Sequence, residues 1–154
     1  MGFIAPYYQW YLTTCLYKQS RLNLCLGQYR FNVAMIANNR IVSIIDDDPS
    51  TTLFFSEALK GFTGITVVDF TDPILALEHF QKYDYAYVLV ICDFKMPGLD
   101  GIKLLKNIKE SNRFVRTILI TAAFRMDDNL LQEYTKKRII DGFVQKPIGL
   151  HDFI

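Results

Sequence analysis

From residue 41 onward, five short apolar runs alternate with stretches in which the apolar residues fall at helical spacing. Residues 41–45 (IVSII), 65–70 (ITVVDF), 86–92, 117–120 and 142–145 have strand length and are rich in β-branched side chains. The third, AYVLVIC, is apolar throughout, as a strand covered on both faces must be. Between the runs, Phe54, Phe55, Ala58 and Leu59 share one face of a helix. Ile74, Leu77 and Phe80 define the inward face of a second, Ile102, Leu105 and Ile108 of a third, and Leu130, Leu131 and Tyr134 of a fourth. Asp48-Pro49 and Asp72-Pro73 supply an N-cap and a first-turn proline, Asp127 and Asp128 open the fourth helix, and Gly61 and Gly64 break the first. Strands that alternate with helices in this way predict an α/β domain, a doubly wound five-stranded parallel sheet of flavodoxin-like order 2-1-3-4-5.

That topology turns scattered polar residues into one candidate site. Ligands of open α/β sheets bind outside the carboxyl ends of the strands, where the strand order reverses, here between strands 1 and 3. Strand 1 ends in Asp46-Asp47-Asp48, strand 3 in Asp93, strand 4 in Thr121 and strand 5 in Lys146-Pro147. Asp48 is explained as a helix cap, whereas Asp46 and Asp47 are not. Taken singly, an Asp or Thr at a strand end is an ordinary turn residue, and Lys-Pro is ordinary surface. Together on one rim they form a cluster that must be neutralised, because each like-charge pair at about 4 Å costs about 4 kcal/mol at an effective dielectric of 20. Hard oxygen donors favour Mg²⁺. With Lys146 beside it, such a cation suits a loose phosphoryl-transfer transition state in which Asp93 is the nucleophile, with Thr121 donating a hydrogen bond to the product.

Composition narrows the alternatives. The 154 residues are 51% hydrophobic and 21% charged, which fits one globular domain with a sizeable core, and the net charge of +1 gives no ground to expect nucleic acid as a partner. Cys15, Cys25 and Cys92 have no CxxC spacing, so a disulfide framework or zinc site is not expected and a reducing cytoplasm is. Neither a secretory signal nor a membrane span is legible. Residues 1–34 differ from the rest. They hold five of the nine tyrosines, the only tryptophan (Trp10), and Lys18, Arg21 and Arg30 with no acid, but no clean period. They read as a leader of uncertain structure that precedes a domain over residues 35–154, with Met35 a plausible natural start.

IVSIIDDDPS, VICDFKMPGLDG, ILITAA and GFVQKPI together resemble the receiver domain of two-component response regulators, over about residues 40–152. The resemblance implies that Asp46 and Asp47 form an acidic pair holding Mg²⁺, completed by Asp93 and the backbone carbonyl of Lys95. It implies that Asp93 accepts a phosphoryl group from a sensor histidine kinase or a phosphotransfer protein. It makes Lys146 the phosphate-binding lysine, with a cis bond to Pro147, and makes Thr121 and Phe143 the pair that switches conformation for an unknown downstream protein. Such a domain phosphorylates and dephosphorylates itself and turns over no external metabolite. The stretch from Thr121 to Lys146 is longer than usual in the family, which points to an altered exit from the fourth helix near Lys136-Lys137-Arg138, itself read as a solvated helix end. The last helix would only be starting at Ile154.

Three other readings compete. A phosphatase of the haloacid dehalogenase type needs a second Asp two residues after the nucleophile, where this chain has Lys95. A nucleotide-binding domain needs glycines after strand 1, where this chain has three acids. A receiver-like docking module that is never phosphorylated would not need all five polar residues. His79 and His151 are read as surface residues outside the site.

Overall fold

A computed structural model describes residues 40–122 and 127–147. The leader, Met35, His151, Cys15, Cys25 and the last-helix segment lie outside the described residues. Within them the chain runs β1 (Arg40–Ile45), α1 (Pro49–Leu59), β2 (Ile65–Phe70), α2 (Pro73–Tyr83), a 3-10 turn (Asp84–Ala86), β3 (Tyr87–Asp93), α3 (Gly101–Ser111), β4 (Arg116–Ala122), α4 (Asp128–Lys136) and β5 (Gly142–Lys146). The five strands are all parallel, in the order β2-β1-β3-β4-β5. The doubly wound α/β fold read from the sequence is the fold found.

Local sequence explains the helix starts. Asp48, Asp72, Asp100 and Asp127 are the N-caps of α1 to α4, and their carboxylates accept the backbone N–H of Ser50, Ile74, Ile102 and Asn129 at 2.8–3.0 Å. Each cap satisfies amides that the first helical turn cannot. At the other end of α4, Arg138 adopts φ +56°, so the chain leaves the helix through a left-handed residue, a common way for a helix to end.

The sheet carries a core on each face. On one side Phe55 and Leu59 of α1 join Val42, Ile44, Leu89, Ile91, Ile118, Ile120 and Val144. On the other, Phe80, Leu104, Leu105, Ile108 and Leu131 pack with Val90, Cys92 and Leu119. Every residue of β3 is buried, which is why its sequence shows no alternation. Each Leu or Ile taken fully out of water contributes about 1.5–3 kcal/mol, so the layers hold the strand ends firmly in place.

Four expectations need correction, the first being Leu130, which is exposed on α4 rather than inward, so that Leu131 alone is buried there. Ile74 is exposed rather than inward; α2 instead buries Pro73, Ala76 and Phe80, with Leu77 half-buried. Two residues apart, Ile74 and Ala76 lie on nearly opposite faces of the helix, so burying Ala76 leaves Ile74 outward. Ala86 closes the 3-10 turn, and β3 begins at Tyr87 and extends to Asp93 itself. His79 is not an ordinary surface residue. It is half-buried, its Nδ1 lies 2.6 Å from the hydroxyl of buried Tyr87, and its ring stands against Phe70 and Tyr83. Burial lowers the His79 pKa, with Lys82 nearby acting in the same direction. Burial also pushes Tyr87 up to about 12.

Away from the candidate site, Asp141 anchors the chain just before β5. It accepts Lys109 Nζ at 2.6 Å, Arg116 at 3.0 Å and the Thr117 N–H at 2.9 Å. Burial alone would raise its pKa, but Lys109, the Thr117 amide and Arg116 together bring it below the usual carboxylate range.

Candidate functional site

Sheet register sets the site. Ile45 pairs with Cys92 across β1 and β3, so the next residues, Asp46 and Asp93, emerge side by side at the carboxyl edge. Asp93 pairs with Ile120, which puts Thr121 one step further out on β4, and Thr121 pairs with Gln145, which puts Lys146 one step beyond on β5. Asp46 is fully buried, Asp93 is 7% exposed and Thr121 is 5% exposed. Carboxylates this deep must find charged or hydrogen-bonding partners.

They share one. The ammonium of Lys146 reaches back past β4 and lies 2.8 Å from Asp46 Oδ2 and 2.9 Å from Asp93 Oδ1. The remaining oxygens are held by backbone. Asp46 Oδ1 accepts the Asp48 N–H at 2.9 Å, and Asp93 Oδ2 accepts the Lys95 N–H at 2.8 Å. Both carboxylates are thus fixed in orientation from two sides. Burial would lower the Lys146 pKa, but its bonds to Asp46 and Asp93 outweigh that and raise it, so the amine stays charged. Burial pushes the Asp46 carboxyl up despite Lys146 and the Asp48 amide, a sign that one ammonium does not fully offset the buried negative charge. The neighbouring Cys92 thiol is pushed well up by complete burial, reinforced by the charges of Asp93, Asp46 and Asp100. It is therefore a packing residue and not a nucleophile.

The other candidate residues are placed as follows. Asp47 is exposed beside Asp46. The Thr121 hydroxyl donates to the Ala122 carbonyl at 3.3 Å, a long bond that constrains it weakly. Phe143 is 42% exposed on β5. The Lys146–Pro147 peptide bond is cis. Asp46, Asp93 and Lys146 are therefore in direct contact, Thr121 borders them on the adjacent strand, and Asp47 and Phe143 stand further out.

Whether a divalent cation fits can be judged from the donor set. Among the described residues no three His, Cys, Asp or Glu side chains stand close enough to hold a metal between them. Mg²⁺ does not require that, since it is commonly bound through one or two carboxylates and keeps several waters. The two buried carboxylates of Asp46 and Asp93, hard oxygen donors set against one ammonium, match that preference.

One element of the site carried no signal in the apolar pattern. Residues 94–101 form a closed loop, with the Phe94 N–H bonded to the Ile120 carbonyl at 2.8 Å and the Gly101 N–H to the Phe94 carbonyl at 3.0 Å. The spacing of glycine after Asp93 was visible, but its contact with the strand end was not.

Comparison with known proteins agrees with this architecture. The family described as Response regulator receiver domain matches residues 42–154. Chemotaxis protein CheY-3 of Vibrio cholerae is 28% identical over 118 residues, covering 74% of this chain and 85% of the relative. The DNA-binding transcriptional regulator NtrC of Escherichia coli is 34% identical over 87 residues, 56% of this chain, and the match spans only 18% of the relative's length. Among solved structures, the isolated REC domain of RcsB from Salmonella enterica, determined in the presence of the phosphomimetic BeF3⁻, is 30% identical with a TM-score of 0.58, covering 73% of this chain and 80% of that one. A response regulator receiver domain protein from Clostridium thermocellum gives a TM-score of 0.63 at 24% identity, over 73% of this chain and 86% of that one, a likeness of fold.

Proposed function

The chain belongs to the response regulator receiver domain family, and on that premise we propose that it is a phosphoacceptor whose acceptor residue is Asp93. The donor is a phosphohistidine on a sensor histidine kinase or a phosphotransfer protein. The observation that carries this reading is the Lys146 ammonium held between Asp46 and Asp93 at the mouth of β3, 2.8 and 2.9 Å from their oxygens.

In the proposed step an oxygen of Asp93 attacks phosphorus. The P–N bond to the donor histidine breaks, and its electron pair returns to the imidazole nitrogen. The Lys95 amide keeps the carboxylate aimed out of the strand end, so little reorganisation is needed on attack. Lys146 stays beside Asp93 and meets the charge that develops on the phosphoryl oxygens. Mg²⁺, held by Asp46, Asp47, Asp93 and the Lys95 carbonyl, would supply the remaining positive charge. The Thr121 hydroxyl leaves its long bond to the Ala122 carbonyl and donates to the aspartyl phosphate, and the exposed Phe143 ring turns inward behind it. A new charge thereby biases a two-state element, and a partner protein reads the result.

The functional unit is residues 35–154, with residues 1–34 as an appended leader. The module acts in the cytoplasm as a regulatory switch or phosphorelay intermediate, and catalyses only its own phosphorylation and dephosphorylation. No helix among the described residues is long and apolar enough to cross a membrane. DNA binding, in the name of NtrC, is not carried over, because the match spans so little of that protein.

The test is incubation of the wild type and Asp93→Asn with a small acyl phosphate or phosphoramidate, with and without Mg²⁺. The reading requires label that depends on Mg²⁺ and is lost in the variant. No label with any donor would instead favour a docking module that is never phosphorylated.

A further inference from the structure

We infer that Gly101 is a positioning residue for Asp93: the absence of a side chain at 101 lets the first turn of α3 lie against the carbonyl of the acceptor residue. A Cβ built at Gly101 would lie 2.0 Å from the Asp93 carbonyl oxygen, 3.1 Å from its carbonyl carbon and 3.2 Å from Phe94 Cα. All three are backbone atoms, which cannot swing aside as the end of a flexible side chain can. Gly101 is itself pinned, because its N–H bonds to the Phe94 carbonyl at 3.0 Å and Asp100 caps the helix that it begins. Nor can the strand retreat, since the Phe94 N–H is tied to the Ile120 carbonyl at 2.8 Å on β4. Room for a Cβ must come from opening the 94–101 loop at its base.

That loop carries the backbone that aims the acceptor. The Lys95 N–H fixes Asp93 Oδ2, and Asp93 Oδ1 meets Lys146. A methyl wedge at 101 therefore rotates the Asp93 carboxylate away from Lys146 and shifts the Lys95 amide with it. Gly98 differs: its φ of +83° explains its identity, but a Cβ there meets nothing within 4 Å. The two glycines of GLDG serve different ends, one the turn and the other close approach.

The inference rests on the reading of Asp93 as phosphoacceptor, so its test has two independent readouts. Gly101→Ala is compared with the wild type for the rate of phosphorylation by a small acyl phosphate at saturating Mg²⁺, and for the backbone amide resonances of Asp93 and Lys95. A misplacement of about 1 Å costs about a hundredfold in rate, and that is the loss expected, together with shifted Lys95 and Asp93 amides. Ile140→Val, a core truncation remote from the loop, controls for lost stability and should phosphorylate at the wild-type rate. If Gly101→Ala does not fold, Asp100→Ala decides. It frays the same helix end without adding atoms, and the same changes are expected in smaller measure. A folded Gly101→Ala with unmoved Lys95 and Asp93 amides and wild-type phosphorylation overturns the inference, as does an Asp100→Ala indistinguishable from wild type when Gly101→Ala is unfolded. Shifted amides in a protein whose wild type takes no phosphoryl group would instead remove the acceptor reading and leave the positional one standing.

Discussion

Replacing Lys146 by Met keeps the apolar stem and removes the ammonium that two buried carboxylates share. In the wild type that charge sits 2.8 Å from Asp46 and 2.9 Å from Asp93. At an effective dielectric of 20 each contact has a gross attraction of about 6 kcal/mol, most of it offset by the cost of taking the charges out of water. Removing one partner of such a set typically costs about 3–5 kcal/mol, because the other charges stay buried. The Lys146 side chain is 28% exposed, so water can partly replace it, and the expected loss is about 2–4 kcal/mol. For a domain of this size that is a fall in midpoint of about 10 °C. Mg²⁺ should narrow the gap between the two proteins. With the competing ammonium gone, Asp46, Asp47 and Asp93 attract the cation more strongly, and a ligand at a hundredfold its Kd adds about 2.7 kcal/mol of stability. Urea unfolding followed by far-UV circular dichroism, with chelator or with excess Mg²⁺, measures both effects. Lys146→Met should be markedly less stable in chelator and gain more than the wild type from Mg²⁺, while accepting phosphoryl groups far more slowly. A variant as stable as the wild type in chelator would refute the idea that Lys146 neutralises this pair.

Two further outcomes follow from the same structure. Asp141→Asn strands Lys109, whose side chain is only 11% exposed, and should cost about 2–4 kcal/mol at neutral pH by urea unfolding. Because the Asp141 pKa is lowered in the fold, its contribution is fully present above the unfolded carboxylate value of about 3.9 and is lost as pH falls through the lower folded value, so the variant's stability should fall less steeply at the acid end than the wild type's. Thr121→Ala should still take phosphate on Asp93, since the Thr121 hydroxyl donates to the Ala122 carbonyl and not to Asp93, but Phe143 ring resonances that move on phosphorylation of the wild type should stay in place. Loss of phosphorylation in that variant would instead give Thr121 a part in the transfer itself.

Much of this architecture was legible because its signals are local. The run before Asp93 has no polar residue, and only a strand covered on both faces tolerates that. Asp-Pro at residues 48–49 and 72–73 fixes two helix starts within a few residues. Given the strand order, Asp46, Asp93, Thr121 and Lys146 had to meet at one edge, because every parallel strand delivers its carboxyl end there. What the sequence could not show depends on contacts between distant residues. The wrong face of α2 was chosen by ranking apolar size, whereas the helix buries Ala76 with Phe80 and leaves Ile74 exposed on the other side. His79 looked ordinary because its partner Tyr87 lies on another element. Asp141 meets Lys109 and Arg116 from 32 and 25 residues away, with no local pattern to announce it. Only the built backbone reveals that Gly101 touches Asp93.

The measurement closest to the central claim locates the phosphoryl group within the chain. After incubation with a small acyl phosphate and Mg²⁺, borohydride reduces an aspartyl phosphate to homoserine, and peptide mass spectrometry reads the position. The account predicts homoserine at residue 93 alone, absent without Mg²⁺. Homoserine at residue 46 or 47, or phosphate on a hydroxyl side chain with residue 93 untouched, would contradict it.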